Sequence, residues 1–241
     1  MDIDRLKFQD ESRFMSNRDV HLPAGTNRVD FENYEEITVP PGRPRKASRE
    51  TVRVDEMPEW VQPAFANIRS LNEIQSRVYY PALFTRKNLL ICAPTGAGKT
   101  NVALLGILNA LTGRTRGKAV YIAPMKALVS ETCGNLSRRL STYDCVVSEL
   151  TGDSRVSKKE INSSDVIVTT PEKWDVITRK FGSNTFLNDI RLIVIDEVHL
   201  LHDVRGAVLE AVVARHGSHR LIGLSATLPN YENVAEFLSV K

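Results

Sequence analysis

The segment Ala93-Pro94-Thr95-Gly96-Ala97-Gly98-Lys99-Thr100 brings two glycines, a lysine and a hydroxyl together within a few residues. Glycines let successive backbone N–H groups turn inward around an anion, a lysine neutralises the outer phosphates of a nucleotide, and a hydroxyl such as that of Thr100 ligates Mg²⁺. The phosphate-loop pattern asks for glycine where Ala93 stands, so the match is to the variant opening with alanine. Thr95 to Thr100 are therefore the candidate nucleotide-binding residues. Further along, Leu192-Ile193-Val194-Ile195 delivers two adjacent carboxylates, Asp196 and Glu197, with His199 two positions later. Asp196 suits holding Mg²⁺ together with Thr100, and Glu197 suits orienting and deprotonating an attacking water. Lys99, Asp196, Glu197 and His199 are the candidate catalytic set. A solvated Asp-Glu turn is the plain alternative for the pair, and the upstream phosphate loop is what favours chemistry.

Such residues work only if the fold holds them. From about residue 60 onward, short apolar runs alternate with helical patterns. The runs are Leu89 to Cys92, Ala119 to Ala123, Cys145 to Val147, Val166 to Val168, Leu192 to Ile195 and Leu221 to Leu224. They lack polar alternation, as strands covered on both faces do. The helical stretches between them include Thr100 to Leu111, Ala127 to Leu140, Glu172 to Lys180 and Gly206 to Ala214, with one or two short helices over Pro63 to Tyr80 ahead and Tyr231 to Leu238 behind. The alternation predicts an α/β fold with a doubly wound, mostly parallel sheet and ligands at the carboxyl ends of its strands.

Residues 1–60 read differently, as an irregular arm with a basic, proline-containing linker. Apolar islands such as Ile37 to Val39 stand between prolines, and residues 40–53 carry Arg43, Arg45, Lys46, Arg49 and Arg53. That stretch suits a solvated linker first and an RNA or protein contact second. The 241 residues are 42% hydrophobic and 25% charged, with a formal charge of +3, a balance that neither demands nor excludes nucleic acid. Three cysteines without a CxxC pair point to reduced thiols and no zinc, with Cys92 expected as a small core residue. His216 and His219 read as loop residues rather than metal ligands. The charged amino terminus and the lack of a long apolar stretch argue against secretion and against a membrane.

Ala93 to Thr100, Asp196-Glu197-Val198-His199 and Ser225-Ala226-Thr227 together resemble the DExH-box superfamily-two RNA helicases of the Ski-like class, over about residues 60–241. The resemblance implies a first RecA-like P-loop domain at 61–241, ATP and Mg²⁺ as cofactors, and coupling of hydrolysis to strand movement through Ser225 and Thr227. It assigns Gln75 to adenine, and glutamine's paired donor and acceptor fit that purine. It also assigns Ala123 to Leu128, Leu150 to Asp153 and Thr170 to Asp175 to the RNA strand. Within these, Pro124, Lys126, Gly152, Thr170, Pro171 and Lys173 are the candidate RNA-binding residues, at helix starts and strand ends suited to phosphates rather than bases.

The arm segments Arg13 to Asn17, Leu22 to Thr26 and Tyr34 to Pro40, with His199 to Gly206, resemble the splicing branch of that class, which separates paired small nuclear RNAs. A sister branch in a transcriptional coactivator complex has similar core motifs. The splicing likeness implies a nuclear location and, as partners, an RNA strand, spliceosomal proteins and the remainder of a helicase core, with no membrane. The connection from Ala214 to Arg220 and that from Thr112 to Lys118 are shorter than the class normally shows. A second RecA-like domain is expected to be absent, so the chain should bind ATP and RNA weakly and turn over poorly alone. A nucleotide-dependent binding module without catalysis is the other class of function these residues allow.

Overall fold

The computed structural model of the chain describes residues 24–40, 51–112, 117–152, 158–181, 185–203 and 205–240. The chain divides into two compact units, Met1–Ser48 and Arg49–Lys241. In the first, β1 (Asn27–Asp30) pairs antiparallel with β2 (Glu35–Thr38). Phe31 stacks on Tyr34 across the turn, with ring centroids 4.5 Å apart, and Arg28 pairs with Glu35 at 2.6 Å. A hairpin thus stands where the sequence reads as irregular, because the stacked turn and the cross-strand ion pair compensate for the short strands. Of the basic stretch, Arg43, Arg45, Lys46 and Arg49 lie outside the described residues.

The second unit starts earlier than residue 61. Val54, Met57 and Val61, spaced three and four apart, are buried in the same apolar cluster as the helices that follow. Burial at this spacing makes the turn one-sided: Val54 and Met57 anchor it in the core while Arg53, Asp55, Glu56, Glu59 and Trp60 stay exposed. The 63–80 stretch holds two short helical elements, a 3-10 turn at Gln62–Phe65 and then α1 (Glu73–Phe84). Asn72 fixes its start through a capping box: its side chain accepts from the Gln75 N–H, and the Gln75 side chain accepts from the Asn72 N–H. The helix runs past Pro81, whose carbonyl accepts from both Thr85 Oγ1 and the Arg220 guanidinium.

The sheet is built from β3 (Leu89–Cys92), β4 (Lys118–Ile122), β5 (Val147–Leu150), β6 (Val166–Thr169), β7 (Ile190–Ile195) and β8 (Arg220–Ser225). All neighbours are parallel, in the order β3-β8-β7-β4-β6-β5. The connecting helices are α2 (Lys99–Thr112), α3 (Lys126–Arg139), α4 (Lys158–Ser163), α5 (Pro171–Phe181), α6 (Gly206–His216) and α7 (Tyr231–Phe237). Alternate residues of each strand face opposite sides. Ala119 and Tyr121 join a cluster with α1, α2 and α3, while Val120 and Ile122 join one with α5, α6 and α7. This is the doubly wound α/β arrangement, and it explains why the strands read as continuous apolar runs. No helix among the described residues is long and apolar enough to cross a membrane.

Three expectations change. Strand β5 lies at Val147–Leu150 rather than 145–147, paired along β6 as far as Leu150 and Thr169. Cys92 is exposed rather than in the core, because strand alternation turns it outward next to buried Ile91. His216 is no loop residue: it ends α6, is only 2% exposed, and its Nε2 accepts a 3.1 Å hydrogen bond from the Trp174 indole N–H. That bond satisfies a polar group of the largest fully buried side chain. Burial, with the nearby His219 and Arg215 charges, pushes His216 down to about 4. His219 stays in the turn after α6, its Nε2 3.2 Å from the Leu187 carbonyl.

Candidate active site

The carboxyl edge of the sheet carries the site. Leaving β3, the chain makes a tight loop in which Ala97 N–H bonds the Pro94 carbonyl, then enters α2, where Asn101 N–H bonds the Gly98 carbonyl. Gly96 and Gly98 have φ of +80° and +75°, values that L side chains rarely adopt. At Gly98 an added Cβ would also sit 2.2 Å from Gln75 Nε2. Two side chains of the α1 cap clamp this loop from outside, Asn72 Nδ2 on the Ala97 carbonyl at 2.8 Å and Gln75 Nε2 on the Gly98 carbonyl at 3.0 Å. Lys99 donates to the Ala93 and Pro94 carbonyls at 3.0 and 3.3 Å, holding the loop closed on itself. Thr95 and Gly96 are exposed, while Ala97, Gly98, Lys99 and Thr100 are half-buried.

Gln75 is buried, and its amide already serves the cap and the loop. An amide has two donor hydrogens and two acceptor lone pairs, so one of each remains, the pair that bidentate contact with adenine uses.

The carboxylates come from β7, two strands away, with β8 between. Asp196 continues β7 with its N–H on the Ile122 carbonyl of β4. Its Oδ1 accepts from the Glu197 N–H at 3.0 Å and its Oδ2 from the Tyr121 hydroxyl at 2.7 Å. Burial, and next the Glu197 charge, raise the Asp196 carboxyl above its ordinary value, while the Tyr121 bond and the Lys99 ammonium oppose the rise. Glu197 has φ +53°, a left-handed conformation costing a non-glycine residue about 1–2 kcal/mol. Strain of that kind collects where function sets the geometry.

His199 ties these carboxylates to β8. Its Nδ1 lies 3.1 Å from Glu197 Oε2 and 3.3 Å from the Ala226 nitrogen. A protonated Nδ1 donates to Glu197, and a bare one accepts from Ala226 N–H, so the tautomer decides which bond is made. Ser225 is fully buried; its carbonyl accepts from Ala93 N–H, and its Oγ has no partner among the described residues. Thr227 is exposed.

The other half of the same edge, at the ends of β4, β6 and β5, carries the remaining candidates. Lys126 is exposed at the start of α3, and its Nζ passes 3.6 Å from where a Cβ on Gly152 would stand. Thr170 precedes α5, and its Oγ1 accepts from Lys173 N–H at 3.4 Å. Pro124 and Pro171 are buried, so their rings pack rather than face a ligand. Arg205, just before α6, donates to the Pro124 carbonyl and pairs with Glu172 at 3.4 Å, joining the segments after β4 and β6.

Tyr121 and Asn72 are missing from the residues singled out by sequence. Asn72 was findable from its three-residue spacing to Gln75. Tyr121, inside an apolar run, had no sequence signal beyond being the run's one hydroxyl.

Residues 72–237 match the family profile described as DEAD/DEAH box helicase. The whole chain aligns at 51% identity with the pre-mRNA-splicing factor brr2 of Schizosaccharomyces pombe and at 48% with the U5 small nuclear ribonucleoprotein 200 kDa helicase of Drosophila melanogaster. It spans 12% of the length of each. Among solved structures, the DUF1998 helicase MrfA bound to DNA and AMPPNP superposes with a TM-score of 0.66 at 22% identity, over 79% of this chain and 29% of that one. At that identity the likeness speaks for the fold.

Proposed function

Because the chain belongs to the DEAD/DEAH box helicase family, we propose that it is the ATP-binding RecA-like domain of an ATP-dependent RNA helicase, working on small nuclear RNA during splicing in the nucleus. The observation that carries the reading is the shared edge: the phosphate loop after β3 and the Asp196-Glu197 step after β7 flank the end of a single strand, β8. The splicing assignment is drawn from the relatives named above, and with it come the expected partners, an RNA strand, spliceosomal proteins and the rest of a helicase core.

The residues fit Mg-ATP. Lys99 carries an ammonium held, among the described residues, only by loop carbonyls, which triphosphate oxygens can replace. Mg²⁺ keeps several waters and needs few protein ligands, so Thr100 and Asp196 suffice as donors. When bound, the ion neutralises charge on the phosphate oxygens. Gly96 and Gly98 present backbone N–H groups to the phosphates, and Lys99 balances their charge. Gln75 offers its remaining donor and acceptor to adenine. Glu197 orients a water and takes its proton at the carboxylate, while His199, holding either Glu197 or the Ala226 N–H, links that carboxylate to Ser225 and Thr227. Lys126, Gly152, Thr170 and Lys173 hold RNA phosphates on the adjoining half of the edge, and Pro124 and Pro171 shape those turns from beneath.

Glu197→Gln tests the reading. The variant should bind Mg-ATP as the parent chain does while RNA-stimulated hydrolysis, measured with this chain alone and extended by a second core domain, falls about 10²–10⁴-fold, the usual contribution of a general base. Undiminished hydrolysis would remove Glu197 from the chemistry. Stimulation by single-stranded DNA equal to that by RNA would remove the RNA assignment.

A further inference from the structure

We propose that Tyr121 is a positioning residue for the metal-side carboxylate, holding Asp196 in the orientation that receives Mg²⁺. The proposal rests on the reading of Asp196 given above and adds a residue to it. Tyr121 lies on β4, in register with Val194 of β7, two residues short of Asp196. Its ring is 1% exposed and packs in the apolar cluster shared with α2, the helix that carries Lys99 and Thr100. A phenylalanine would fill that volume without the penalty of burying a hydroxyl, so the phenol O–H needs a partner that justifies it. Its one hydrogen bond among the described residues is the 2.7 Å donation to Asp196 Oδ2. Asp196 Oδ1 is meanwhile fixed by the Glu197 N–H at 3.0 Å.

The two donors hold the two oxygens from different elements, one from the core of the sheet and one from the strained turn at Glu197. A carboxylate offers about four lone-pair sites, so both oxygens keep capacity toward an ion or its waters. The hydroxyl is attached to a ring that the packing between sheet and α2 immobilises. It therefore ties the carboxylate's rotamer to the same helix that presents the hydroxyl of Thr100. Partners of this outer kind commonly change metal affinity by about 10–100-fold when removed.

The test measures binding rather than turnover. A fluorescent ATP analogue is titrated into the chain with EDTA and then across a range of Mg²⁺ concentrations, for the parent chain, Tyr121→Phe, Tyr121→Met and Asp196→Asn. Both Tyr121 variants should need about tenfold more Mg²⁺ for half of the metal-dependent tightening, with metal-free affinity unchanged. Combining Tyr121→Phe with Asp196→Asn should add nothing to Asp196→Asn alone, as expected of groups acting through one another. Tyr121→Met fills the space with a flexible side chain and stands in if the phenylalanine variant does not fold. A parental Mg²⁺ dependence in the variants, or an equal loss with and without the metal, would overturn the positioning role. Absence of any Mg²⁺ effect in the parent chain would instead sink the nucleotide-site reading on which this one stands.

Discussion

His216 makes the stability of this fold depend on pH between neutrality and about pH 4. The ring is buried at the end of α6 and accepts from Trp174, and its pKa is held at about 4 against an ordinary 6.5. Below 6.5 the unfolded chain takes up a proton there while the folded chain refuses it until about pH 4. The unfolded state then binds more protons, so stability falls as the pH drops. The linkage amounts to about 2 kcal/mol lost between pH 7.5 and 5, and about 3 kcal/mol once fully expressed. Urea unfolding monitored by tryptophan fluorescence at several pH values between 7.5 and 4.5 measures it. Titrating carboxylates contribute to the same curve, so the diagnostic quantity is the difference from His216→Gln, whose amide oxygen can still accept from the Trp174 indole and does not ionise. The variant should be less stable at neutral pH yet lose about 2 kcal/mol less on going to pH 5. Parallel curves for the two proteins would refute the claim that His216 is folded in neutral form against the indole.

Other expectations concern the loop and its clamp. Gly98→Ala places a Cβ against Gln75 and forces a left-handed alanine; the strain of about 1–2 kcal/mol plus a lost hydrogen bond should weaken ATP binding by about 10–100-fold in a fluorescence titration. Asn72→Ala removes both the α1 cap and the bond to the Ala97 carbonyl, and should cost about 1–2 kcal/mol of stability, seen as a melting temperature lower by several degrees.

The sheet and the two chemical motifs were legible because each is written locally. Six apolar runs without alternation can only be strands covered on both sides, and a glycine-lysine-threonine loop between strand and helix carries its own geometry. What escaped depended on partners distant in sequence. Whether His216 is a loop residue or a core residue turns on Trp174, which arrives from another helix. The polar role of Tyr121 depends on the register of β4 against β7, which no local pattern specifies. Cys92 was misplaced for the opposite reason: the run containing it looked uniformly apolar, and only the sheet's pleat decides which member turns outward. The domain boundary shifted because Val54, Met57 and Val61 follow a basic, proline-bearing stretch that resembles a linker, although their own spacing is that of a buried turn.

The position of β8 constrains how the two sides of the site can communicate. Ser225 is bonded through its carbonyl to the start of the phosphate loop, and the next residue offers its N–H to His199 beside the carboxylates. The carbonyl and the N–H of one peptide unit, Ser225–Ala226, therefore face opposite neighbours, like a post standing between two doors. A shift of either door therefore bears directly on the end of β8, one amide away from the exposed Thr227 segment.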